Sequence, residues 1–241
     1  MSLRSKRVVV VGGTSGIGFA IAEAARNDGA AVVVISSNAA NVEAAVKRLA
    51  GDTSGATMNA TDENAVQATF GRLGKFDHLA YTAGDWNTAN RVSVAELDLQ
   101  GARDSFSVRF WGALNVAKYA RENINPGGSI TLTNGLIAHR PRKDSALRTA
   151  MAGSIEHLTR GLAVDFAPIR VNAVCPGLIR TGVWDTLLPA GREEQFRRMT
   201  ERQPLQRIGE PQEVAEAYLY LMRGGYTTGQ VLHVDGGGSI I

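Results

Sequence analysis

Short runs of β-branched residues alternate with longer amphipathic segments along the chain, and this alternation limits its possible folds more than any other feature. The short runs are rich in Val and Ile and do not alternate apolar with polar residues, as expected for strands of a sheet covered on both faces. In the segments between them, apolar residues recur at the three- and four-residue spacings of a helix. The pattern predicts an α/β fold with a doubly wound parallel sheet of about seven strands, right-handed crossovers and helices on both faces.

The pattern also assigns ranges to these elements. The predicted strands are Arg7–Val11, Ala31–Ser36, Ala56–Asn59, His78–Tyr81, Ser129–Thr133, Arg170–Val174 and Gln230–Val234. The clearest helical patterns are Ile17–Asn27, Ala65–Leu73, Phe106–Arg121 and Ser154–Phe166. With 241 residues, of which 44% are apolar, the chain has the size of one domain, and we predict a single domain over residues 1–241.

One segment, at residues 181–204, interrupts the alternation after the sixth predicted strand. We predict that it forms a partly helical flap over a substrate site, with its helix at Glu193–Arg202. The alternative is a surface excursion without a function.

The turn between the first strand and the first helix contains three glycines, Gly12, Gly16 and Gly18, in the spacing Gly-x-x-x-Gly-x-Gly. A glycine motif in this strand–turn–helix context is a strong indication of a dinucleotide site. Gly12 permits a tight turn, Gly16 allows backbone to approach a pyrophosphate, and Gly18 allows the helix to pack on the strand. Free N–H groups at the positive end of the helix would hold the phosphates. We therefore predict a single Rossmann-type domain.

Four further segments follow the glycine motif in order: YTAG at 81–84, GGSITLTNG at 127–135, IRVNAVCPGLIRT at 169–181 and VDGGGS at 234–239. Together with the glycine spacing, they resemble the short-chain dehydrogenase/reductase (SDR) family over essentially the whole chain. The resemblance implies a nicotinamide cofactor, a small-molecule substrate, and a homodimer or homotetramer formed through the two long helices. It also implies that the cofactor lies against Gly12, Thr14, Ser15, Gly16, Ile17, Gly18, Asn59, Ala60, Ala83, Gly84, Pro176, Gly177, Ile179 and Thr181.

The end of the second strand bears on the choice between NAD and NADP. NAD-preferring members of the family carry an acidic residue at the position of Ser36, where it holds both ribose hydroxyls. Ser36 does not repel a 2′-phosphate, and Ser36, Ser37 and Asn38 offer hydrogen bonds to one. Against this, neither Ser15 nor Ser37 is the basic residue that NADP-preferring members often carry. We expect NADP rather than NAD.

The four residues that the family uses for catalysis are changed in this chain. Alignment of the fifth strand places the family's Ser at Gly135, its Tyr at Arg148 and its Lys at Ala152, and the preceding long helix places its Asn at Arg109. A shifted alignment does not restore them, because the sequence contains no Tyr-x-x-x-Lys and no Lys after Lys143. The resemblance therefore implies that the family's ordinary acid–base mechanism is absent.

Arg109 and Arg148 are candidates for other catalytic roles. A guanidinium is a fixed cation that binds carboxylate or phosphate and does not deprotonate near neutral pH, so neither arginine replaces the Tyr as a general acid. Each could stabilise an oxyanion or hold an anionic substrate. The alternative is that both point to solvent or pair with Asp144 and Asp165.

His139 and Asn134 are two further catalytic candidates. His139 has a reference pKa near neutrality, although a lone His in a loop is commonly just solvated. Asn134 adds a polar group directly after the fifth predicted strand. Thr133, at the end of the same strand, and Tyr81, at the end of the fourth, are polar groups nearby. The cations Arg140, Arg142 and Lys143 follow in the connecting segment.

Composition excludes several classes of function. A net charge of +3 with no cluster of five or six basic residues argues against nucleic acid, and no apolar stretch reaches the length that crosses a membrane. A single cysteine, Cys175, rules out an intrachain disulfide and fits a reducing compartment, so we expect a cytoplasmic location. No His, Cys or carboxylate group has metal-ligand spacing along the chain, and we expect no metal.

Three functions remain open on this basis. The first is an atypical SDR-like oxidoreductase that transfers a hydride between NADP(H) and a small substrate, either anionic or neutral, without the usual Tyr/Lys pair. The second is a cofactor-binding protein without turnover, such as a sensor or a scaffold. The third is a non-redox enzyme that performs an isomerisation or a cyclisation on the same fold.

Overall fold

The computed structural model describes residues 2–84, 92–187 and 192–241. The strands are β1 (Arg7–Val11), β2 (Ala31–Ser36), β3 (Thr53–Thr57), β4 (Phe76–Tyr81), β5 (Ile124–Thr133), β6 (Arg170–Pro176) and β7 (Val231–Val234). The α-helices are α1 (Gly16–Asn27), α2 (Ala39–Leu49), α3 (Glu63–Leu73), α4 (Leu99–Asp104), α5 (Ala113–Ala120), α6 (Ala146–Asp165), α7 (Val183–Leu187), α8 (Arg192–Thr200) and α9 (Pro211–Arg223). Short 3-10 turns lie at Val94–Glu96, Arg121–Asn123, Leu136–Ala138 and Gly238–Ile240, and a π-helical segment lies at Ser107–Gly112.

The seven strands form one parallel sheet in the order β3-β2-β1-β4-β5-β6-β7, with helices on both faces. The valines of β1 show why this requires an apolar strand without alternation. Val8 and Val10 belong to the core shared with α1 and α9, whereas Val9 and Val11 belong to the core shared with α3, α5 and α6. Both faces of the strand are therefore buried. The predicted fold class is confirmed.

Most strands overlap their predicted ranges closely, although β5 begins at Ile124 instead of Ser129, and the edge strand β3 is displaced. β1 and β2 occupy the predicted residues, but β3 covers Thr53–Thr57 instead of Ala56–Asn59. β3 lies at one edge of the sheet, and Ser54 and Gly55 are exposed, so no apolar run marks it in the sequence. Asn59 consequently lies in the loop after β3, on the way to α3.

The helix predicted at Phe106–Arg121 is irregular in its first half. Ser107–Gly112 winds as a π-helix before α5 begins at Ala113. The Tyr81 hydroxyl donates a hydrogen bond of 2.5 Å to the Val108 carbonyl inside this segment. A Cβ at Gly112 would lie 2.6 Å from that hydroxyl oxygen, so only glycine fits beneath the phenol. Irregular helical turns of this kind are frequent at functional sites, and this one carries Arg109.

The predicted flap contains two helices in its described part, α7 and α8, while residues 188–191 lie outside the described residues. α8 covers Arg192–Thr200, close to the predicted helix at Glu193–Arg202. Trp184 connects the flap to the sheet, because its indole N–H donates to the Ile179 carbonyl at 2.7 Å and its ring packs edge-on against Phe196 at 5.3 Å. The flap is therefore packed against the loop that follows β6.

Candidate functional site

The described residues form a cleft of about 1040 Å³ at the carboxyl ends of the parallel strands. Its floor is made by the residues that follow β1, β4, β5 and β6, and α7 covers one side through Val183 and Trp184. The chain turns to opposite sides of the sheet after β1 and β4, and such a switch point is where open α/β sheets bind ligands. The predicted flap thus lies against the cleft.

The glycine turn has the crowded geometry expected of a phosphate cradle. A Cβ at Gly18 would lie 2.1 Å from the Gly12 carbonyl oxygen, and a Cβ at Gly12 would lie 2.6 Å from the Ala83 nitrogen. Gly12 also has a φ of +87°, which L side chains rarely adopt. Ser15 is the N-cap of α1, and its side chain makes no capping hydrogen bond. Ser15 therefore leaves the first amides of α1 uncapped, and the residues that carry them, Gly16, Ile17 and Gly18, line the cleft, as an anion site requires.

All but one of the predicted cofactor residues line this cleft, including those from the loops after β4 and β6. The exception is Asn38. Its side-chain oxygen accepts a hydrogen bond of 3.0 Å from the Asn41 N–H and caps α2, so it is directed at its own helix. Asn41 lines the cleft in its place and was missed by the sequence reasoning. The sequence could have indicated Asn41, because it lies three residues after the N-cap Asn38 and therefore in the first turn of α2, at the same end of the helix.

The candidates Arg109 and Arg148 both line the cleft, together with Gly135 and Ala152. Arg109 lies over the loop after β4, since a Cβ at Gly84 would lie 2.7 Å from its Nη2 atom. Both arginines have interaction partners within the protein. Three more cations line the cleft, namely Arg140, Arg142 and Lys143, and Asp144 is the single acidic residue among the described lining residues.

Asn134 lines the cleft, whereas His139 is turned away from it. The Asn134 amide donates a hydrogen bond to Glu156 of α6, and its own carbonyl oxygen is buried without a hydrogen-bond partner among the described residues. His139 Nε2 lies 2.5 Å from the Glu156 Oε1 atom, so this histidine contacts a buried carboxylate rather than solvent alone. Glu156 was missed by the sequence reasoning. Its place on the buried face of α6, beside Ile155 and Thr159, was the available signal.

The hydroxyls of two tyrosines near the cleft are hydrogen-bonded to other groups of the protein. Tyr81 donates to the Val108 carbonyl, as described above. Tyr218 is fully buried, and its hydroxyl lies 2.5 Å from Thr133 Oγ1, which in turn donates to the Tyr81 carbonyl at 2.5 Å. Burial raises the pKa of Tyr218 well above its ordinary value. Neither phenol faces the cleft as a substitute general acid.

Comparison with known proteins gives the family. A family model described as Enoyl-(Acyl carrier protein) reductase matches residues 11–239. The chain is 34% identical over 251 residues to the short-chain dehydrogenase/reductase ATR9 of Stachybotrys chlorohalonatus, with 98% of each chain covered. The chain therefore belongs to the short-chain dehydrogenase/reductase family.

Solved structures give the same result for the fold. The structure of the MalC reductase/Diels–Alderase from Malbranchea aurantiaca superposes with a TM-score of 0.92 at 32% identity and covers 99% of this chain and 98% of that one. A small-chain dehydrogenase in complex with NADPH superposes with a TM-score of 0.82 at 32% identity, over 98% of this chain and 100% of that one.

Among the described helices, none combines the length and apolar composition that crossing a bilayer requires.

Proposed function

We propose that the chain is an NADP(H)-dependent oxidoreductase that transfers a hydride to or from a small anionic substrate without a Tyr/Lys acid–base pair. One observation carries the proposal: the glycine turn of Gly12, Gly16 and Gly18 and the cations Arg109 and Arg148 line a single continuous cleft. The cradle supplies the cofactor site, and the cations supply a site for a second, negatively charged molecule.

The residues present fit a nicotinamide dinucleotide. The uncapped first turn of α1 offers N–H groups to the pyrophosphate, and Ser36 and Ser37 lie in the cleft where the adenosine ribose would approach β2. No carboxylate at position 36 opposes a 2′-phosphate. The NADPH complex of the related small-chain dehydrogenase supports the same choice. When bound, the nicotinamide supplies or accepts the hydride.

The cations of the cleft determine how the chain binds the substrate and stabilises its negative charge. Arg148 occupies the position that the alignment assigns to the family's Tyr, and Ala152 that of its Lys. A guanidinium stabilises negative charge on a substrate oxygen or carboxylate but does not give up its proton near neutral pH. The substrate therefore takes its proton from water or from one of its own groups, or needs none. General acid catalysis contributes about 10²–10⁴ in rate, so an acceptor that requires no protein proton is favoured.

The test is NADPH oxidation against carbonyl compounds offered in pairs, each acid beside its neutral methyl ester. We expect the acids to be reduced faster than their esters. Arg148→Ala should lower kcat/KM for the acids by about 10–100-fold, since hydrogen bonds to charged groups contribute about 1.5–3 kcal/mol, and should leave the esters nearly unchanged. Arg72→Ala, on the exposed side of α3, is the matched control. A preference for esters would contradict the anionic substrate, and binding without any turnover would favour the sensor or scaffold.

A second function, a non-redox cyclisation, is favoured by one specific observation. The MalC protein, which superposes with a TM-score of 0.92, is described as both a reductase and a Diels–Alderase. A cleft whose arginines stabilise charge without transferring protons is compatible with such chemistry. Product formation without consumption of NADPH would distinguish this function from hydride transfer.

A further inference from the structure

Three side chains that commonly bind metal ions meet behind the cleft: His139, Cys175 and His233. One ligand atom from each lies within 4.8 Å of the other two. They lie far apart in the sequence, which is why spacing along the chain predicts no metal site. None of the three is among the residues that line the cleft, so the cluster is separate from the proposed active site.

The sheet itself fixes two of the three side chains. Cys175 in β6 and His233 in β7 are register partners in adjacent parallel strands, so their side chains project from the same face. His139 follows the 3-10 turn Leu136–Ala138 after β5, and its ring packs edge-on against His233 with the centroids 4.4 Å apart. The arrangement therefore depends on the strand register and on one short turn.

A carboxylate stands beside each imidazole. Glu156 Oε1 lies 2.5 Å from Nε2 of His139, and Asp235 Oδ2 lies 3.9 Å from Nδ1 of His233. Each ring keeps a second nitrogen for another partner. Histidines that bind metals almost always present one ring nitrogen to the ion and the other to a carboxylate, carbonyl or water, and the carboxylate fixes the tautomer. The carboxylates are themselves held, because Glu156 accepts from Asn134 and Asp235 accepts from the Ser239 N–H at 2.8 Å.

We propose that this cluster is a zinc site, in which the Cys175 thiolate and the imidazoles of His139 and His233 are the ligands and water takes the fourth position. One thiolate with two imidazoles is a donor set that suits Zn²⁺, whereas Mg²⁺ and Ca²⁺ prefer oxygen. Glu156 is a positioning residue that orients the His139 ring, whereas Asp235 lies beside the His233 ring at 3.9 Å, beyond hydrogen-bond distance.

The distances are compatible with this assignment. Bond lengths of about 2.0–2.3 Å in a tetrahedral site place the ligand atoms about 3.3–3.7 Å apart. The widest separation here is 4.8 Å, so the ligands must close by about 1 Å. Both imidazole side chains are 32% exposed, which leaves them room to rotate and gives an ion access. A cysteine binds zinc as the thiolate, so binding of the ion is coupled to release of the thiol proton.

Such an ion would join three segments that carry one end of the cleft. His139 follows Leu136 and Ile137, Cys175 precedes Pro176, and these three neighbours line the cleft. His233 adds β7 at the edge of the sheet. Zinc would therefore hold the turn after β5 and the end of β6 in place, while its fourth position stays open to water.

The test is a titration of the metal-free full chain with Co²⁺, followed by displacement with Zn²⁺. We expect one equivalent to bind with the absorption bands of tetrahedral Co²⁺ and a thiolate-to-cobalt charge-transfer band. Cys175→Ser should abolish the charge-transfer band, and His233→Gln, at a partly exposed position, should lower affinity at least about 100-fold. Glu156→Gln should lower affinity by about 10–100-fold. His157→Gln, one residue along α6 and exposed, is the matched control that should bind as the wild type does.

The result is independent of turnover and of the cofactor. Absence of one-equivalent binding would overturn the proposal. Binding without the charge-transfer band would also overturn it, and so would binding that survives both Cys175→Ser and His233→Gln. Each variant is first compared with the wild type by circular dichroism, so that loss of binding is read only from folded protein.

Discussion

Gly18→Ala adds one methyl group at the most crowded point of the phosphate cradle. The new Cβ would lie 2.1 Å from the Gly12 carbonyl oxygen and 2.5 Å from Thr82 Oγ1. Ordinary contacts begin at about 3.4 Å, and most of the neighbouring atoms are backbone, so the start of α1 must move away from β1 by about 1 Å.

The displacement should lower both stability and cofactor affinity. Overpacking of this kind costs about 1–3 kcal/mol, and each kcal/mol lowers Tm by about 2–4 °C in a chain of this length. Hydrogen bonds from the α1 amides to the pyrophosphate involve a charged acceptor and contribute about 1.5–3 kcal/mol each. Loss of one of them should weaken NADPH binding by about 10–100-fold.

The assay pairs thermal unfolding with an NADPH fluorescence titration, and Gly71→Ala is the control. Gly71 lies in α3, where an added Cβ would meet nothing within 4 Å. The same substitution there should stabilise the protein by about 0.5–1 kcal/mol, because Ala forms helix better than Gly. If Gly18→Ala binds NADPH as tightly as the wild type, the glycine turn is not a phosphate cradle and the reasoning is refuted.

Two further predictions concern the cofactor preference and the pH dependence of stability. Ser36→Asp should weaken NADPH binding by about 10–100-fold and leave NADH binding equal or tighter, because a carboxylate repels a 2′-phosphate and accepts from a ribose hydroxyl; unchanged NADPH affinity would contradict the placement of the ribose. His78 is buried beside Ser129, and burial lowers its pKa from 6.5 to about 4, so the unfolded chain binds its proton first as the pH falls. The stability that the neutral His78 contributes is present above about pH 6.5 and is lost between about pH 6.5 and 4. The free energy of unfolding measured in urea should therefore be about 2 kcal/mol lower at pH 5 than at pH 7. His78→Gln should make the free energy of unfolding depend less on pH in this range. If the variant shows the same pH dependence as the wild type, that dependence comes from other groups.

Local patterns predict the parts of this fold that are determined locally. Val8–Val11 lack polar alternation because both faces of β1 are buried, and a run of valines before a glycine turn carries this information in the sequence. The edge strand β3 carries no such run, because Ser54 and Gly55 are exposed, and its predicted range was displaced. The π-helical turn at Ser107–Gly112 depends on the distant Tyr81 hydroxyl and leaves no periodic signal.

The candidate site also contains residues that local sequence predicts and residues that only tertiary packing brings together. The glycine cradle is one continuous segment, so the sequence alone predicts its residues. Asn38, after β2, does not line the cleft, because its side chain caps its own helix. Glu156 and its partners Asn134 and His139 come together only through the packing of α6 against the loop after β5. The His139–Cys175–His233 cluster depends further on the register of β6 and β7. Such groupings are tertiary, and spacing along the chain does not encode them.

Equilibrium titration of the purified protein with NADPH and with NADH, followed by cofactor fluorescence, tests the central claim most directly. We predict saturable binding of NADPH at one site per chain, at least about tenfold tighter than NADH, since one hydrogen bond to the charged 2′-phosphate is sufficient for such a difference. Absence of binding for both cofactors would contradict the oxidoreductase assignment and would leave a scaffold or a non-redox enzyme on this fold.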